Sequence, residues 1–511
     1  GRLVLAADNF PAGDASHFTT AGKGEGTVVY TGTSYTLNKP LSFYNLNIEL
    51  DNETDKLTLL KDYDIAGNFI VDTGEFQIND NSSTTDLNIS LHGDLSISEA
   101  GKILTGTGNA RHQFDFYGDL TNNGILKFTN RASAVYNSEA AYGIVDANFL
   151  SDAKNQTVVC NNTSNFYRIE INKGTDDTYE LKLLANDPSY FNLFGYANDG
   201  HGATAQLADN ANALGLIKGT VRIGNNVDIP VLNNTGNYNV SEAARLWVDG
   251  GYVAKDDGTA IVPYGKMLVT RGTLEATVNS GITTRGNGLV KVEGGTLTIN
   301  QLRTSVYGAE NVGGYVQSGG TTNILGGSTA GDYYCFNLTY EGNVFNMSGG
   351  TLHIHEAHGK GGIFINSDAT NQNVTGGTVI MDTDDGNDFP ITSKAPFWNV
   401  IMRNSDGGTT KHILSDAVDV GSTNENLAAQ PLVVLNDFTI ETNSWFETEG
   451  EDVYIGKDFT IEDDALYEFH DNTTVFNGTE DGILYIGDIT GLSNPSYTDP
   501  EGAGVDPYAD W

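Results

Sequence analysis

Short segments in which apolar and polar residues alternate recur through the middle of the chain, and each segment follows a glycine. In Gly350-Thr351-Leu352-His353-Ile354, leucine and isoleucine alternate with threonine and histidine. A period of two residues predicts a β-strand with one apolar face, and the glycine before it predicts a tight turn. Seven such copies begin at Gly219, Gly251, Gly272, Gly295, Gly320, Gly350 and Gly377.

The spacing of these copies predicts how the strands are arranged. From Gly219 to Gly251 the step is 32 residues, and the following steps are 21, 23, 25, 30 and 27 residues. A short, slightly irregular period is typical of a solenoid whose strands are constant while its loops vary. One turn cannot bury its own apolar face, but turns stacked about 4.8 Å apart can. We therefore predict an all-β fold, a right-handed parallel β-helix with rungs of about 21–32 residues, in which roughly 20 rungs form a rod about 100 Å long.

A second, longer repeat lies outside this array. Its three parts are Thr-Val-Val-Tyr-Thr-Gly at 27–32, Phe-Tyr-Asn-Leu-Asn-Ile at 43–48 and Gly-Asn-Phe-Ile-Val at 67–71. The first two parts return within 157–171, and the second part returns at 397–402. Each part has the alternation of a strand, so these regions are also predicted to consist of short strands.

The order of these three parts resembles a repeat of very large cell-surface proteins of Bacteroidota that the type IX secretion system exports, including SprB-like gliding adhesins. The resemblance covers roughly residues 1–180 and 390–490. It implies an extracellular, cell-surface location and an adhesive or filament-forming role, and it implies no catalytic residues. The implied partners are extracellular or cell-surface glycans or proteins, and the secretion and motility machinery of the cell envelope.

The two repeat families divide the chain into four predicted regions. Residues 1–180 and 391–490 are expected to be β-helix with adhesin-type repeats, and 181–390 to be β-helix with the glycine-led rungs. Residues 491–511 are expected to be an acidic linker to a further region of a larger protein. The best helix candidate is 203–217.

The chain is strongly acidic. It has 66 Asp and Glu against 27 Lys and Arg, which gives a formal net charge of −39 that is spread along the sequence. A phosphate backbone would be repelled along the whole rod, so nucleic acid is excluded as a partner. No segment approaches the about 18 apolar residues that cross a bilayer, so membrane insertion is not expected. The acidity serves either solubility or the binding of divalent cations.

Three of the nine histidines, His353, His355 and His358, lie within six residues. Alternation places Leu352 and Ile354 in the core, so His353 and His355 are predicted to share the outer face, roughly 7 Å apart at their Cα atoms. Neutral imidazoles at that spacing can bind Zn²⁺ or Cu²⁺. The alternative is a solvated polar face, because the sequence reveals no supporting carboxylates.

An acidic cluster follows the seventh copy of the central repeat. Oxygen ligands at alternating positions, with Gly386 allowing a sharp bend, suit Ca²⁺. The terminal glutamate of an EF-hand is missing at the required distance, so an exposed acidic turn is the alternative. Neither hypothesis makes a cofactor necessary for the fold. The candidate calcium ligands are Asp382, Asp384, Asp385 and Asp388.

Aromatic pairs mark the second part of the longer repeat. Adjacent residues of a strand point to opposite faces, so one ring of each pair should be interior and the other exposed. An exposed ring can stack on a sugar, whereas packing under a loop is the alternative. The candidate glycan-stacking residues are Tyr44, Tyr167 and Trp398.

Three classes of function remain compatible with this fold. The first is a non-enzymatic adhesive or structural rod used in surface attachment or gliding, and the second is a polysaccharide lyase or glycoside hydrolase. The third is a glycan- or calcium-binding module. An enzyme should align carboxylates with Lys or Arg along one outer column, but the aligned outward positions are read as Arg222, Glu275, Thr298 and His353. Because these residues have no consistent charge, we predict the non-enzymatic rod.

Overall fold

The structure of the chain is a computed structural model, and it confirms the predicted parallel β-helix. Strands make up 56% and helices 2% of the residues that the structure describes, and the strands stack into a solenoid of about 16 turns. The described residues are 1–7, 13–39, 41–132, 143–151, 155–195, 213–232, 236–255, 260–277, 281–304, 312–326, 334–356, 361–384, 386–420, 425–479 and 481–487. The predicted acidic linker at 491–511 lies outside them.

The first part of the solenoid contains one short helix, α1 (Ser16–Thr19), and nineteen strands in the described residues. These strands are β1 (Arg2–Leu5), β2 (Thr27–Tyr30), β3 (Tyr35–Leu37), β4 (Leu41–Phe43), β5 (Asn45–Glu49), β6 (Lys56–Leu59), β7 (Tyr63–Ile65), β8 (Phe69–Ile78), β9 (Asn88–Leu91), β10 (Leu95–Thr105), β11 (Arg111–Phe116), β12 (Leu120–Asn122), β13 (Ile125–Lys127), β14 (Ile144–Phe149), β15 (Gln156–Cys160), β16 (Ser164–Phe166), β17 (Arg168–Asn172), β18 (Glu180–Ala185) and β19 (Phe191–Leu193).

The middle part contains the glycine-led rungs and a short 3-10 helix at Ala369–Asn371. Its strands are β20 (Leu214–Ile223), β21 (Asp228–Ile229), β22 (Tyr238–Val240), β23 (Ala244–Ala254), β24 (Ile261–Pro263), β25 (Lys266–Ala276), β26 (Ile282–Thr284), β27 (Leu289–Val292), β28 (Thr296–Ile299), β29 (Leu302–Thr304), β30 (Gly314–Ile324), β31 (Phe336–Leu338), β32 (Val344–Glu356), β33 (Ile363–Ile365), β34 (Gln372–Thr383) and β35 (Phe389–Ser393).

The last part returns to short strands. They are β36 (Asn399–Asn404), β37 (Lys411–Leu414), β38 (Ala417–Val420), β39 (Glu425–Leu427), β40 (Leu432–Val434), β41 (Phe438–Ile440), β42 (Trp445–Glu447), β43 (Val453–Ile455), β44 (Phe459–Ile461), β45 (Leu466–Glu468), β46 (Thr474–Phe476) and β47 (Leu484–Ile486).

Parallel pairing between successive turns builds the walls of the solenoid. One sheet contains 32 strands, a second contains 10 and a third contains three. Among the described strands, β38 and β39 form the one antiparallel pair. Pairing of β15 with β18 and of β18 with β20 runs across residue 180, and pairing of β34 with β36 runs across residue 390. The two repeat families therefore belong to one coil.

Apolar side chains form columns inside this coil. Leu274 pairs with Leu297, and further along the same column Leu352 pairs with Val379, which pairs with Val400. All five are buried. The main buried cluster extends without interruption from the first rungs to Tyr467. Stacking of equivalent residues thus supplies the core that no single rung can form.

Six of the seven glycine-led copies are in register, and the copy at Gly219 is not. Gly219 pairs with Ala244, so Arg222 pairs with Trp247 rather than standing in the column of Glu275. The reason is that β23 bends near its glycines and takes part in two columns of paired strands. Its segment before the bend pairs with the Gly219 copy, and its segment after the bend pairs with the Gly272 copy. The sequence-based alignment of Arg222 with Glu275, Thr298 and His353 is therefore wrong for Arg222.

Glycine is required at the bend because successive rungs approach closely there. Gly272 has φ +79° and Gly295 has φ +65°, which lie in the left-handed region. A Cβ on Gly295 would lie 2.5 Å from the carbonyl oxygen of Gly272. A larger residue would therefore be strained by both conformation and contact.

In the described residues, a strand takes the place of the end of the predicted helix, and the number of turns is smaller than predicted. Residues 214–217 belong to β20, and 203–212 lie outside the described residues. The roughly 20 rungs expected from the sequence exceed the about 16 turns of the structure. Some turns are longer than the glycine spacing implies: Leu120 pairs with Val158, 38 residues later.

A charged network ties three successive rungs together on the outer face. Asp249 is almost fully buried, and its Oδ2 accepts hydrogen bonds from Arg222 Nε at 2.8 Å and Nη2 at 2.6 Å. Its Oδ1 accepts hydrogen bonds from Arg271 Nε at 2.8 Å and Thr270 Oγ1 at 2.9 Å. The Arg222 guanidinium also lies 4.0 Å from the centre of the Trp247 ring. Hydrogen bonds from Arg271, and then from Arg222 and Thr270, hold the pKa of the Asp249 carboxyl well below its usual value despite its burial.

We expect Asp249→Asn to lower the free energy of unfolding by about 2 kcal/mol at pH 7, because charged hydrogen bonds from two arginines are lost. The carboxyl has a lower pKa in the folded state, so its contribution is present above about pH 4 and is lost as the pH falls through the folded pKa. Urea unfolding of both proteins between pH 7 and pH 3 measures this difference. A difference in the free energy of unfolding between the two proteins that does not decrease below pH 4 would contradict the lowered pKa of Asp249.

Candidate metal site

Two neighbouring rungs bring the histidine cluster and the acidic cluster of the sequence together. Strand β32 carries His353 and His355, and β34 carries Asp382. The strands are parallel, and His355 is the direct partner of Asp382 in their register. Two motifs that are 29 residues apart along the chain therefore form one site.

Alternation along β32 turns both imidazoles outward, as the sequence predicts. Leu352 and Ile354 are fully buried, whereas the side chains of His353 and His355 are 18% and 21% exposed. The centres of the two imidazole rings are 3.9 Å apart, and the rings are tilted by 34°. Both rings therefore project from the same face over the next rung.

The carboxylate of Asp382 lies against both imidazoles. His353 Nε2 is 2.9 Å from Asp382 Oδ2, and His355 Nδ1 is 4.0 Å from the same oxygen. These three ligand atoms all lie within 4.8 Å of one another. The three residues thus offer two nitrogens and one oxygen at a common point.

The third rung orients Asp382. Ser405 donates its backbone N–H to Asp382 Oδ1 at 3.1 Å and its hydroxyl to Oδ2 at 2.9 Å. Burial raises the pKa of the Asp382 carboxyl, but hydrogen bonds from His353 and Ser405 and the charges of both histidines outweigh burial and leave the pKa below its usual value. The carboxylate is therefore charged and held in one orientation at neutral pH.

The candidate calcium ligands have different surroundings. Asp384 Oδ2 lies 2.7 Å from His355 Nδ1, and Asp388 Oδ1 accepts the backbone N–H of Lys411 at 2.9 Å. Asp385 lies outside the described residues, as does His358 from the histidine cluster. The described carboxylates of this loop therefore contact two histidines, a serine and the backbone amide of Lys411, and calcium binding by the loop stays a prediction.

A second cluster of ligand atoms lies near the C-terminal end of the described coil. His470 Nε2 is 3.3 Å from Glu447 Oε1 and 3.5 Å from Glu468 Oε1. Lys411 Nζ lies 2.7 Å from Glu447 Oε2 and 3.8 Å from Glu468 Oε2, and it also lies 3.8 Å from the centre of the Trp445 ring. A lysine already compensates these carboxylates, so this cluster is an ion-pair network around a cation of the chain itself.

The three candidate glycan-stacking residues differ in exposure. Tyr167 is fully buried and packs with Ile144, so it is not available to a sugar ring, and its selection from the sequence is wrong. Tyr44 and Trp398 are half-buried, while Phe43 and Phe397 beside them are buried. The division into one interior and one outer ring therefore holds for two pairs, and stacking on glycans by Tyr44 and Trp398 stays a prediction.

Sequence reasoning did not find Ser405 or the pairing of His355 with Asp382. Ser405 follows β36 and reaches Asp382 because β36 lies beside β34 in the stack. The glycine steps contained part of this information, since Gly350 and Gly377 align the two strands residue by residue. Extending that alignment to the fifth residue after each glycine would have placed His355 beside Asp382.

No helix in the described residues is long and apolar enough to cross a bilayer. Comparisons with protein-family models, with curated proteins and with solved structures found no match. The proposals that follow therefore rest on the residues and geometry of this chain.

Proposed function

We propose that the chain is a non-enzymatic extracellular rod, part of a large cell-surface adhesin or filament protein that acts in surface attachment or gliding. The observation that carries this proposal is the continuous stack of about 16 turns around one main core. A stack of this kind holds its loops at fixed intervals along an extended body, which suits presentation of binding loops away from a surface.

The outer columns support a structural role. In the column of Glu275, the following residues are Thr298, Asn323, His353 and Ile380. An acid–base pair for glycoside chemistry needs two carboxyls a few ångströms apart, one of them with a raised pKa. This column offers a single carboxylate and no second carboxyl beside it, so it resembles the wall of a scaffold rather than a catalytic cleft.

Several ion pairs of the outer face also connect rungs. Arg111 Nε binds Asp146 Oδ2 at 2.8 Å, and Arg403 Nε binds Glu441 Oε2 at 2.7 Å. In each pair the two residues come from different turns of the coil. Ion pairs between different turns hold neighbouring turns together, which helps a rod to resist sideways force.

Adhesion of coated beads tests this proposal. Beads that carry the purified chain through a terminal tag should be retained under shear on immobilised polysaccharides or on glass more strongly than beads that carry heat-unfolded chain. Trp398→Ala and Tyr44→Ala should lower retention on the polysaccharides if these rings stack on sugars. Tyr485→Ala, which changes an exposed ring at the end of the described coil, is the matched control. Equal retention of folded and unfolded chain on every surface would refute an adhesive role.

The alternative function is a polysaccharide lyase or glycoside hydrolase on the same fold. The observation in its favour is Asp228, an exposed residue whose partial burial raises the pKa of its carboxyl, as a general acid requires. Incubation with alginate, pectate and neutral glucans, followed by assays of reducing ends and of absorbance from unsaturated sugars, tests it. Product formation that Asp228→Asn abolishes would establish the enzyme and remove the proposal of a passive rod.

A further inference from the structure

We propose that His353, His355 and Asp382 bind one Zn²⁺ ion that fastens two neighbouring turns of the solenoid. The ligand atoms are His353 Nε2 and His355 Nδ1 from β32 and Asp382 Oδ2 from β34. This inference does not depend on the adhesive role, because it concerns how the rod is held together.

The spacing of the three atoms suits a tetrahedral ion. Zn²⁺ binds imidazole nitrogen and carboxylate oxygen at about 2.0–2.2 Å, which places neighbouring ligand atoms about 3.3 Å apart. The distances from Asp382 Oδ2 are 2.9 Å to His353 Nε2 and 4.0 Å to His355 Nδ1. These values lie on either side of the ideal separation, so small rotations of side chains on the outer face complete the geometry.

The donor set selects the class of metal. Two imidazole nitrogens and one carboxylate oxygen suit Zn²⁺ or another late first-row metal, whereas Ca²⁺ takes six to eight oxygen ligands. Binding breaks two hydrogen bonds, from His353 Nε2 to Asp382 and from His355 Nδ1 to Asp384. The proton on each of these nitrogens leaves to solvent or passes through solvent to the other nitrogen of its ring, and metal bonds to both nitrogens and to Asp382 Oδ2 take their place. Asp384, whose Oδ2 lies 2.7 Å from His355 Nδ1, adds a second negative charge beside the ion.

The ligands are oriented before the ion arrives. Asp382 is 1% exposed, and the backbone N–H and hydroxyl of Ser405 hold its two oxygens from a third turn. Along β32, His353 lies between the buried Leu352 and Ile354, and His355 follows Ile354, so burial of these two apolar side chains fixes the backbone that carries both imidazoles. Outer partners of this kind raise metal affinity because they remove the cost of ordering the ligands.

The second cluster provides a contrast inside the same molecule. Around Glu447, Glu468 and His470, Lys411 Nζ already occupies the position between the carboxylates at 2.7 Å and 3.8 Å. Arg403 of β36 is the register partner of Asp382 and interacts with its charge, but its guanidinium hydrogen-bonds to Glu441 at 2.7 Å and 2.8 Å. The hydrogen bonds to Asp382 come from His353 and Ser405. At the His353 site a histidine and a serine therefore hold the carboxylate, whereas in the His470 cluster a cation of the chain itself lies between the two glutamates.

Zn²⁺ titration of the full chain, purified without a histidine tag and freed of metal by a chelator, tests the proposal. We expect one equivalent of Zn²⁺ to bind, Co²⁺ in its place to give the visible absorption of a tetrahedral site, and millimolar Ca²⁺ to leave both unchanged. His355→Gln and Asp382→Asn should each weaken Zn²⁺ binding on the order of 100-fold, and Ser405→Ala about tenfold with the Co²⁺ spectrum retained.

The matched controls are His92→Gln and His470→Gln. His92 Nε2 lies 3.3 Å from Asp64 Oδ1 on the surface, so it is a histidine beside a carboxylate without a second imidazole. Both controls should bind Zn²⁺ as the parent chain does, and circular dichroism shows whether each variant is folded. Zn²⁺ that binds equally to the parent chain and to folded His355→Gln, or a Co²⁺ spectrum of an octahedral aquo ion, would overturn the proposal.

Discussion

Replacement of Phe116 by alanine is expected to lower the free energy of unfolding by about 3–5 kcal/mol. Phe116 is fully buried and stacks on Phe114 with ring centres 4.3 Å apart, and on Phe149 of the next turn at 5.1 Å. Phe128 lies 6.4 Å away on another wall of the coil. The alanine leaves a cavity among rigid rings that belong to different turns, and these rings cannot all move inward to fill it.

Urea unfolding measures the lost free energy of unfolding, and hydrogen exchange shows which strands are destabilised. A solenoid turn contacts only its neighbours, so exchange should accelerate most in β11 and β14 and least in the distant strands β41 and β44. Phe469→Ala is the control, because this ring is 49% exposed and its removal should cost less than about 1 kcal/mol. Similar losses from the two variants would show that stacked rings inside the coil do not carry its stability.

Acidification from pH 7 to pH 4 is expected to cost about 3 kcal/mol of stability through His112 alone. His112 is fully buried in β11, and burial lowers the pKa of its imidazole to about 4, although Asp86 opposes this shift. The unfolded chain binds a proton near pH 6.5, whereas the folded chain resists it until about pH 4. The contribution of neutral His112 to stability is therefore complete above about pH 7, and it is lost between pH 6.5 and pH 4.

The hydrogen bond made by His112 explains why the proton is excluded. Its Nδ1 accepts the backbone N–H of Leu87 at 3.0 Å, so the neutral ring carries its proton on Nε2, and a second proton would have to displace the Leu87 bond. The buried His412 acts in the same direction, because burial lowers its pKa although carbonyl oxygens of Met381 and Trp445 lie beside its nitrogens.

The variant His112→Asn isolates this contribution. Asparagine places an amide oxygen near the position of Nδ1, so it can accept the Leu87 N–H, but it does not titrate. Unfolding by urea at intervals between pH 7 and pH 4 should show the parent chain losing about 3 kcal/mol more than the variant. Parallel pH profiles for the two proteins would mean that the pKa of His112 is the same in the folded and unfolded chains, which would contradict the exclusion of the proton by burial.

Much of the fold could be predicted because alternation and glycine spacing act locally. In the segment from Gly350 to Ile354, the period of two residues set which side chains are interior, and the structure buries Leu352 and Ile354 while His353 stays on the outer face. The repeat of that segment implied stacking, since an apolar face on a single turn has no other partner. The same local rule gave Phe43 and Phe397 their interior positions.

The pairing register of the strands was harder to predict, because a glycine indicates a bend but does not determine which column the next strand joins. The copy at Gly219 has the same pattern as the others, yet it pairs with Ala244 because β23 carries two columns on either side of its bend. Tyr167 shows the same limit. Its place next to Phe166 predicted an outer ring, but contact with Ile144 buries it.

The sequence by itself determined the all-β class, the stacked coil, the interior columns and the acidic surface, because each depends on periodicity or composition. Only the tertiary structure decided that His355 stands beside Asp382 and that Ser405 orients that carboxylate. The physical reason is that loops of variable length separate the strands, so side-chain proximity depends on how many residues each loop takes up. Chemistry that is shared between turns becomes visible only when backbone hydrogen bonds have set the register.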